Sequence, residues 1–309
     1  MKVLVTGGNG FLGKSLIKTL QNVGTYEIFS PRSIHFDLIN ASQAKDLFDY
    51  FKPNIVIHLA AVVGGIGANK ENPGSFFYKN CMMGLNVIEN CRIYNVDKIV
   101  QIGTVCSYPK FTPVPFSENS MWDGYPEETN APYGIAKKAL YTMVKAYADQ
   151  YDLNGSVLVP CNLYGPYDNF DPKSSHVIPA LIKKFVEAKF NNENKVVCWG
   201  TGNATREFLY VDDASRGIVS SLDKDTGSEP INLGGGSEIS IRSLAEKIAS
   251  FVGYKGNIEW DISKPDGQPR RFLDISRAKQ VLNWEPLVDF DNGLENTIDW
   301  YLNQKDRLK

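Results

Sequence analysis

The stretch "VLVTGGNGFLGKSL" (residues 3–16) decides the fold. It passes from an apolar, β-branched run into a turn carrying Gly7, Gly10 and Gly13, and from there straight into an amphipathic segment. A phosphate group needs close backbone approach, unpaired N–H donors and the positive end of a helix, and glycines between a strand and a helix permit all three. The spacing is G-x-x-G-x-x-G rather than G-x-G-x-x-G, and a glycine triplet by itself marks only a tight turn. Its position after a first strand and before a first helix points to a dinucleotide, with Gly7, Gly10, Phe11, Leu12 and Gly13 as the expected cradle.

Outward from this turn, short β-branched runs alternate with longer amphipathic ones. "KVLVT" (2–6), "EIFS" (27–30), "NIVIHLAA" (54–61), "KIVQIG" (98–103) and "GSVLVP" (155–160) read as strands. Segments near 10–23, 41–51, 73–95 and 131–151 have helical spacing. Nearly continuous apolar strands between helices imply a parallel sheet covered on both faces. The fold class expected is α/β, a Rossmann-type doubly wound parallel sheet with a smaller C-terminal α/β substrate domain.

Beyond Pro160 the rhythm breaks. A polar loop, "CNLYGPYDNFDPKSS", leads to a helix from about His176, then to "KVVCWG", "REFLYV" and "EPINLGGG". "SIRSLAEKIASFVG" reads as a helix with Ser240 as N-cap and Gly253 near its C-terminus. The expected division is a dinucleotide-binding domain over 1–165, to which the chain returns near 207–235, and a substrate domain mainly over 166–309.

Composition narrows the classes. The 309 residues are 43% hydrophobic, enough for a sizeable core. A formal charge of −2 with both signs interspersed offers no basic stripe for nucleic acid and no polybasic segment for a membrane. Five cysteines, at 81, 91, 106, 161 and 198, form no C-x-x-C pair and no metal-ligand spacing, which fits a reducing compartment and no bound metal. The opening "MKVLVTGG" enters a strand at once and lacks the apolar core and cleavage site of a signal peptide. With no run of about 18 apolar residues to span a membrane, a cytoplasmic protein is expected.

The end of the second strand selects the dinucleotide. An acidic residue there binds the ribose 2′-hydroxyl of NAD, but this chain reads "EIFSPRSIHFD", with Ser30, Arg32 and Ser33 in that region. A guanidinium and hydroxyls suit a 2′-phosphate, so NADP is preferred. Further along, "PYGIAKKAL" places Tyr133 and Lys137 on one face of a helix. A phenol with a pKa near ~10 is a poor acid–base catalyst at neutral pH unless a cation stabilises its anion, which a lysine one turn later does. Alone this pair is common; together with the glycine turn and a strand-end hydroxyl, Thr104, it is specific.

With these residues in hand, the chain resembles the extended short-chain dehydrogenase/reductase family along nearly its whole length, through "TGGNGFLG", "HLAAVVGG", Thr104–Tyr133–Lys137 and "REFLYVDDASRG". Within it the closer resemblance is to the GDP-L-fucose synthase branch, GDP-4-keto-6-deoxymannose epimerase-reductases. It is carried by "VGGIGAN" (63–69), "CSYPK" (106–110), "NAPYGIAK" (130–137), "NLYGPYDNF" (162–170), "SHVIPAL" (175–181) and "SKPDGQPR" (263–270). The resemblance implies that Cys106 and His176 form the acid–base pair for epimerisation. A C4 ketone acidifies the protons at C3 and C5, and a thiol and an imidazole both titrate near neutrality. It further implies that Thr104, Tyr133 and Lys137 serve the reduction at C4, and that Asn162 and Leu163 line the cofactor. Lys184, Trp199, Arg206, Asp266 and Arg271 would surround the GDP-sugar, and the helices near 73–95 and 131–151 would pack across a homodimer axis. The other four cysteines are expected to be packing residues.

Two positions depart from the branch: Thr104 stands where its usual serine would be, and Lys184 replaces an arginine, losing bidentate phosphate geometry. Two enzymatic readings therefore stay open, the epimerase-reductase and a C4 reductase of another GDP-4-keto-6-deoxy sugar, such as a heptose, that does not epimerise. A third, a non-catalytic NADP-sensing protein, is disfavoured by intact Tyr133 and Lys137.

Overall fold

The computed structural model describes residues 1–172, 174–264 and 266–306. Lys173 of the 161–175 loop, Pro265 of the "SKPDGQPR" run and residues 307–309 lie outside them. In chain order the strands are β1 (Lys2–Thr6), β2 (Glu27–Phe29), β3 (Ile55–His58), β4 (Lys98–Ile102), β5 (Gly155–Pro160) and β6 (Asn162–Tyr164). They continue with β7 (Lys195–Trp199), β8 (Thr205–Tyr210), β9 (Pro230–Leu233), β10 (Glu238–Ser240), β11 (Asn257–Asp261) and β12 (Arg270–Arg271). The helices are α1 (Phe11–Val23), α2 (Ala41–Phe51), α3 (Ile66–Glu71), α4 (Pro73–Ile93) and α5 (Ala131–Tyr151). After them come α6 (Val177–Phe190), α7 (Val211–Ser220), α8 (Ile241–Val252) and α9 (Phe290–Asp306).

The main sheet is all parallel, in the order β2-β1-β3-β4-β5-β9. β3, β4 and β5 are buried at every position, as strands covered on both faces must be. Helix α1 packs on α7, and α4 packs on α5 and α2, which provides the cover. The strand order reverses between β1 and β3, and open α/β sheets take ligands in the crevice at the carboxyl ends of such a pair.

A smaller sheet is organised around β8, which pairs with β6 and β12 in parallel and with β10 antiparallel. β7 and β11 form a separate parallel pair. Ile182, Phe185, Leu244, Ile248 and Leu294, from α6, α8 and α9, build the apolar cluster beneath these strands. The core of the main sheet also takes in Leu233, Leu273, Leu282 and Trp284, so the chain returns to it late. No helix among the described residues is long and apolar enough to cross a membrane.

The sequence reading placed these elements well, with instructive departures. α8 starts on the Ser240 hydroxyl, which accepts from the Ser243 amide, and ends at Gly253 with φ 76°. β3 stops at His58 rather than Ala61, because Leu59 to Ala61 pass the edge of the sheet and turn along the cavity. Asn162–Tyr164, read as loop, is the strand β6 paired with β8. Three residues are too few for an alternation pattern to register.

The turn after β1 is closed to a side chain at Gly7 and at Gly13. A Cβ on Gly13 would lie 2.4 Å from the Gly8 Cα and 2.5 Å from the Gly7 carbonyl oxygen, and backbone atoms cannot move aside cheaply. Gly7, at φ 75°, has the Ala60 amide nitrogen 2.7 Å from its would-be Cβ. Gly13→Ala is therefore expected to destabilise the protein by ~1–3 kcal/mol, in the range of overpacking. Thermal unfolding checks it, and a variant melting with the parent would show that the turn has slack.

Candidate active site

A cavity of about 1260 Å³ opens at the carboxyl ends of β1 and β3 and runs toward the β8 sheet. Of the residues singled out in the sequence, Ser30 does not line it and these do: Gly7, Gly10, Phe11, Leu12, Gly13, Arg32, Ser33, Asn162 and Leu163 toward one end, Thr104, Cys106, Tyr133, Lys137 and His176 between, and Lys184, Trp199, Arg206, Asp266 and Arg271 toward the other.

At the first end, α1 begins on Gly10, which offers no side-chain cap, so the first amides of the helix have no intrahelical acceptor. With the glycines stripped of side chains, that cradle fits a diphosphate. Arg32 and Ser33 are exposed on the turn after β2, and the Arg32 carbonyl accepts from the His35 and Phe36 amides at 2.9 and 3.2 Å. The Arg32 guanidinium has no ion pair among the described residues, and no carboxylate stands at the end of β2.

The middle of the cavity is built from the turn after β4 resting on α5. The Thr104 amide donates to the Tyr141 hydroxyl at 2.9 Å, and the Ser107 hydroxyl shares a 3.1 Å hydrogen bond with that same phenol. The Thr104 hydroxyl accepts from the Cys106 amide at 3.2 Å, which leaves its own proton to point elsewhere. Lys137 is buried, with Nζ donating to the Ile102 carbonyl at 3.0 Å and lying 5.9 Å from the centre of the Tyr133 ring. Burial lowers the Lys137 pKa to about 8. Tyr133 is half-buried, and its surroundings push the phenol well above the usual range, with charge on Cys106 adding to the effect. Beneath Lys137, His58 is fully buried with Nδ1 2.7 Å from the Thr6 hydroxyl. Its pKa falls to about 3, through burial first and the Lys137 charge second.

His176 reaches the cavity from the N-cap position of α6. The residue is exposed where it lines the cavity, and desolvation lowers its pKa. The segment before it docks on the loop after β3: the Gly65 amide donates to the Ser174 carbonyl at 3.1 Å. Buried Asn69 donates to the Gly64 and Gly65 carbonyls at 2.7 and 3.1 Å, which explains why "VGGIGAN" reads as one unit.

At the far end, Arg206 and Arg271 are register partners on β8 and β12. Burial, and then the neighbouring Arg271 charge, lower the Arg206 pKa to about 10. Trp199 is exposed, with Lys184 and Lys264 5.8 and 5.5 Å from its ring centre. The Asp266 carboxylate accepts from the Thr201 amide and hydroxyl at 2.7 and 2.8 Å, so it holds the Gly200–Gly202 turn as well as lining the cavity. The Asn162 side-chain Nδ2 donates to the Glu207 carbonyl at 2.9 Å. Sequence reasoning missed Tyr141, Gln268 and Glu127, which brace or line the site; Gln268 stands within the "SKPDGQPR" run, but nothing local in that run marks its bond to Lys110.

The model of the NAD dependent epimerase/dehydratase family matches residues 3–234. GDP-L-fucose synthase 1 of Arabidopsis thaliana is 41% identical over 97% of this chain and 93% of its own. The crystal structure of a GDP-6-OMe-4-keto-L-xylo-heptose reductase from C. jejuni superposes with a TM-score of 0.90 at 29% identity, covering 98% of both chains. A GDP-L-fucose synthetase from Naegleria fowleri bound to NADP gives a TM-score of 0.89 at 28% identity, over 99% of this chain and 95% of that one.

The loop that leads to His176 carries a buried carboxyl, Asp168, with one oxygen accepting from the Asn169 amide at 2.7 Å and the other without a partner among the described residues. Burial raises its pKa to about 7. A carboxyl whose folded pKa is raised stabilises fully below its ordinary pKa, and that contribution is lost as pH rises through about 7. Asp168→Asn is therefore expected to melt above the parent at pH 8, with the advantage shrinking as pH falls toward 5. Melting midpoints across that range decide it, and a constant difference between the two proteins would contradict the buried-carboxyl account.

Proposed function

The chain belongs to the NAD dependent epimerase/dehydratase family, and from that premise we propose that it converts GDP-4-keto-6-deoxy-D-mannose to GDP-L-fucose, inverting C3 and C5 and then reducing C4. The observation that carries this reading is the convergence of Cys106, His176, Thr104, Tyr133 and Lys137 on the cavity that begins at the glycine cradle. The cofactor is NADP(H), in keeping with the NADP-bound relative and with Arg32 and Ser33 after β2. When bound, it supplies the hydride for the ketone carbon. We assign 1–165 and the returning 207–235 segment to cofactor binding and most of 166–309 to the nucleotide sugar.

The residues divide the remaining work. Cys106 and His176, from opposite parts of the chain, exchange protons with C3 and C5, which the neighbouring ketone makes acidic. The Thr104 hydroxyl, its oxygen engaged by the Cys106 amide, is free to donate to the ketone oxygen. Tyr133 remains protonated at neutral pH and gives its proton to the oxyanion left by reduction. Lys137, still largely charged at pH 7, steadies the resulting phenolate. Arg206 and Lys184 offset the diphosphate charge, Trp199 offers a ring face, and Asp266 holds the turn beside them.

The similarity to a heptose reductase favours a second reading, reduction at C4 of another GDP-4-keto-6-deoxy sugar without inversion. Incubation with GDP-4-keto-6-deoxymannose and NADPH in heavy water separates the two. The first reading expects GDP-L-fucose with deuterium at C3 and C5; product without deuterium leaves reduction alone. Cys106→Ser should abolish the incorporation, and Tyr133→Phe should slow reduction ~10²-fold or more.

The catalytic thiol calls for a reducing compartment such as the cytoplasm, and all five cysteines are free. We further propose a homodimer built on α4 and α5, where Phe77, Tyr78, Leu85 and Ile93 on α4 and Tyr151 on α5 leave apolar surface exposed. Leu85→Glu is then expected to give monomers by sedimentation velocity, and a parent that already sediments as a monomer rules the pairing out.

A further inference from the structure

We propose that Arg271 is the positioning residue and counter-charge of the Cys106 sulfur, serving proton transfer at C3 and C5 rather than the diphosphate of the substrate. The proposal deepens the reading above and rests on it for the transfer itself.

The geometry is triangulated. Arg271 Nη1 lies 3.7 Å from Cys106 Sγ. Its Nε donates to Gln268 Oε1 at 2.8 Å, and Gln268 Nε2 donates in turn to the Lys110 carbonyl at 2.7 Å. Cys106 and Lys110 belong to the same short segment, so the guanidinium is tied to that segment twice, once at the sulfur and once through the amide strut. Arg271 and Gln268 are both buried, at 9% and 7% exposure, so these contacts are not those of a loose surface side chain.

Charge points the same way. Among the described residues Arg271 has no carboxylate partner, although a buried cation needs one. Asp266 accepts from Thr201, and Glu127 Oε2 accepts from the side chains of Thr129 and Asn130; neither carboxylate pairs with Arg271 among the described residues. Arg206 beside it adds a second positive charge. The group that the guanidinium meets directly is the sulfur. When Cys106 gives a proton to carbon it is left as a thiolate. When it takes one, the C–H electron pair passes into the enolate and the thiolate becomes a thiol. In either direction the sulfur is charged on one side of the step, and at that moment the guanidinium faces an anion across the hydrogen bond rather than a neutral thiol. Binding a diphosphate bidentately calls for an open fork, yet Arg271 has committed Nε to Gln268 and Nη1 to sulfur.

Alkylation tests this without substrate or cofactor, so an error in the sugar assignment leaves the result intact. Thiolate is the species that attacks iodoacetamide, forming the S–C bond as iodide leaves. Modification of the Cys106 peptide, followed by mass spectrometry at pH 7.5, is expected to slow about tenfold in Arg271→Met and less in Arg271→Lys, which keeps the charge. In turnover, deuterium incorporation at C3 and C5 should fall about tenfold with KM for the GDP-sugar nearly unchanged. Parent-like alkylation in Arg271→Met, or a raised KM with undiminished exchange, overturns the proposal. Should Arg271→Met fail to fold, Gln268→Ala removes the strut and is read by the same alkylation rate, with the same outcomes.

Discussion

Only a hydrogen atom fits between α5 and the turn that follows β4. A Cβ on Gly134 would stand 2.3 Å from the Cys106 carbonyl oxygen, and one on Gly103 would stand 2.3 Å from the Tyr141 hydroxyl. That closeness brings a strand-end turn and a helix together on one wall of the cavity. Residues four apart share a helix face, and here each step of that ladder holds something different. Tyr133 faces the cavity, Lys137 grips the Ile102 carbonyl at the end of β4, and Tyr141 grips the Thr104 amide one turn further down. The helix acts as a ruler that fixes the thiol and hydroxyl of the turn relative to the phenol.

Burial then sets the protonation states. Lys137 is taken from water and given a single carbonyl, which also accepts from the Gln101 side chain at 2.8 Å. Desolvation of an ammonium with no carboxylate partner pulls its pKa down to about 8, so it keeps its charge at neutral pH by a narrow margin. His58 below it cannot share that charge and stays neutral. The phenol above moves the opposite way, because burial penalises its anion. The site thus holds a protonated phenol and a cation side by side without an ion pair between them.

Much of this was legible in the sequence for local reasons. The glycine turn, the strand runs and the cap of α8 depend on residues close in the chain, and Ser240 with Gly253 marks both ends of its helix. Y-x-x-x-K is visible because helical spacing makes it so. What stayed hidden depends on long-range pairing. Gln268 braces Lys110 across 158 residues, and Tyr108 reaches Asn232 across 124 at 2.7 Å, so no window of sequence contains either pair. The role of Asp266 was half legible: its place at the cavity follows from the run that contains it, but its carboxylate proves committed to Thr201 only once the turn is folded.

Glu207 shows why the two halves of the cavity keep their spacing. It follows Arg206 on β8, so the pleat sends the two side chains to opposite faces. The guanidinium enters the cavity while the carboxylate is buried against the Gly234–Gly236 turn that leaves the main sheet. One carboxylate oxygen accepts from the Gly236 amide at 2.9 Å and the other from the Leu273 amide at 3.0 Å, two residues beyond Arg271. Two donors arriving at two oxygens require a group that only accepts, and a glutamine would turn an N–H₂ toward one of them. Burial opposes that ionised form and raises its pKa to about 7. The carboxylate nevertheless joins the turn after β9, the middle of β8 and the exit of β12 at one point, so the same buried group that strains against ionisation sits where Arg206 and Arg271 pair in register, with Arg271 reaching the Cys106 sulfur.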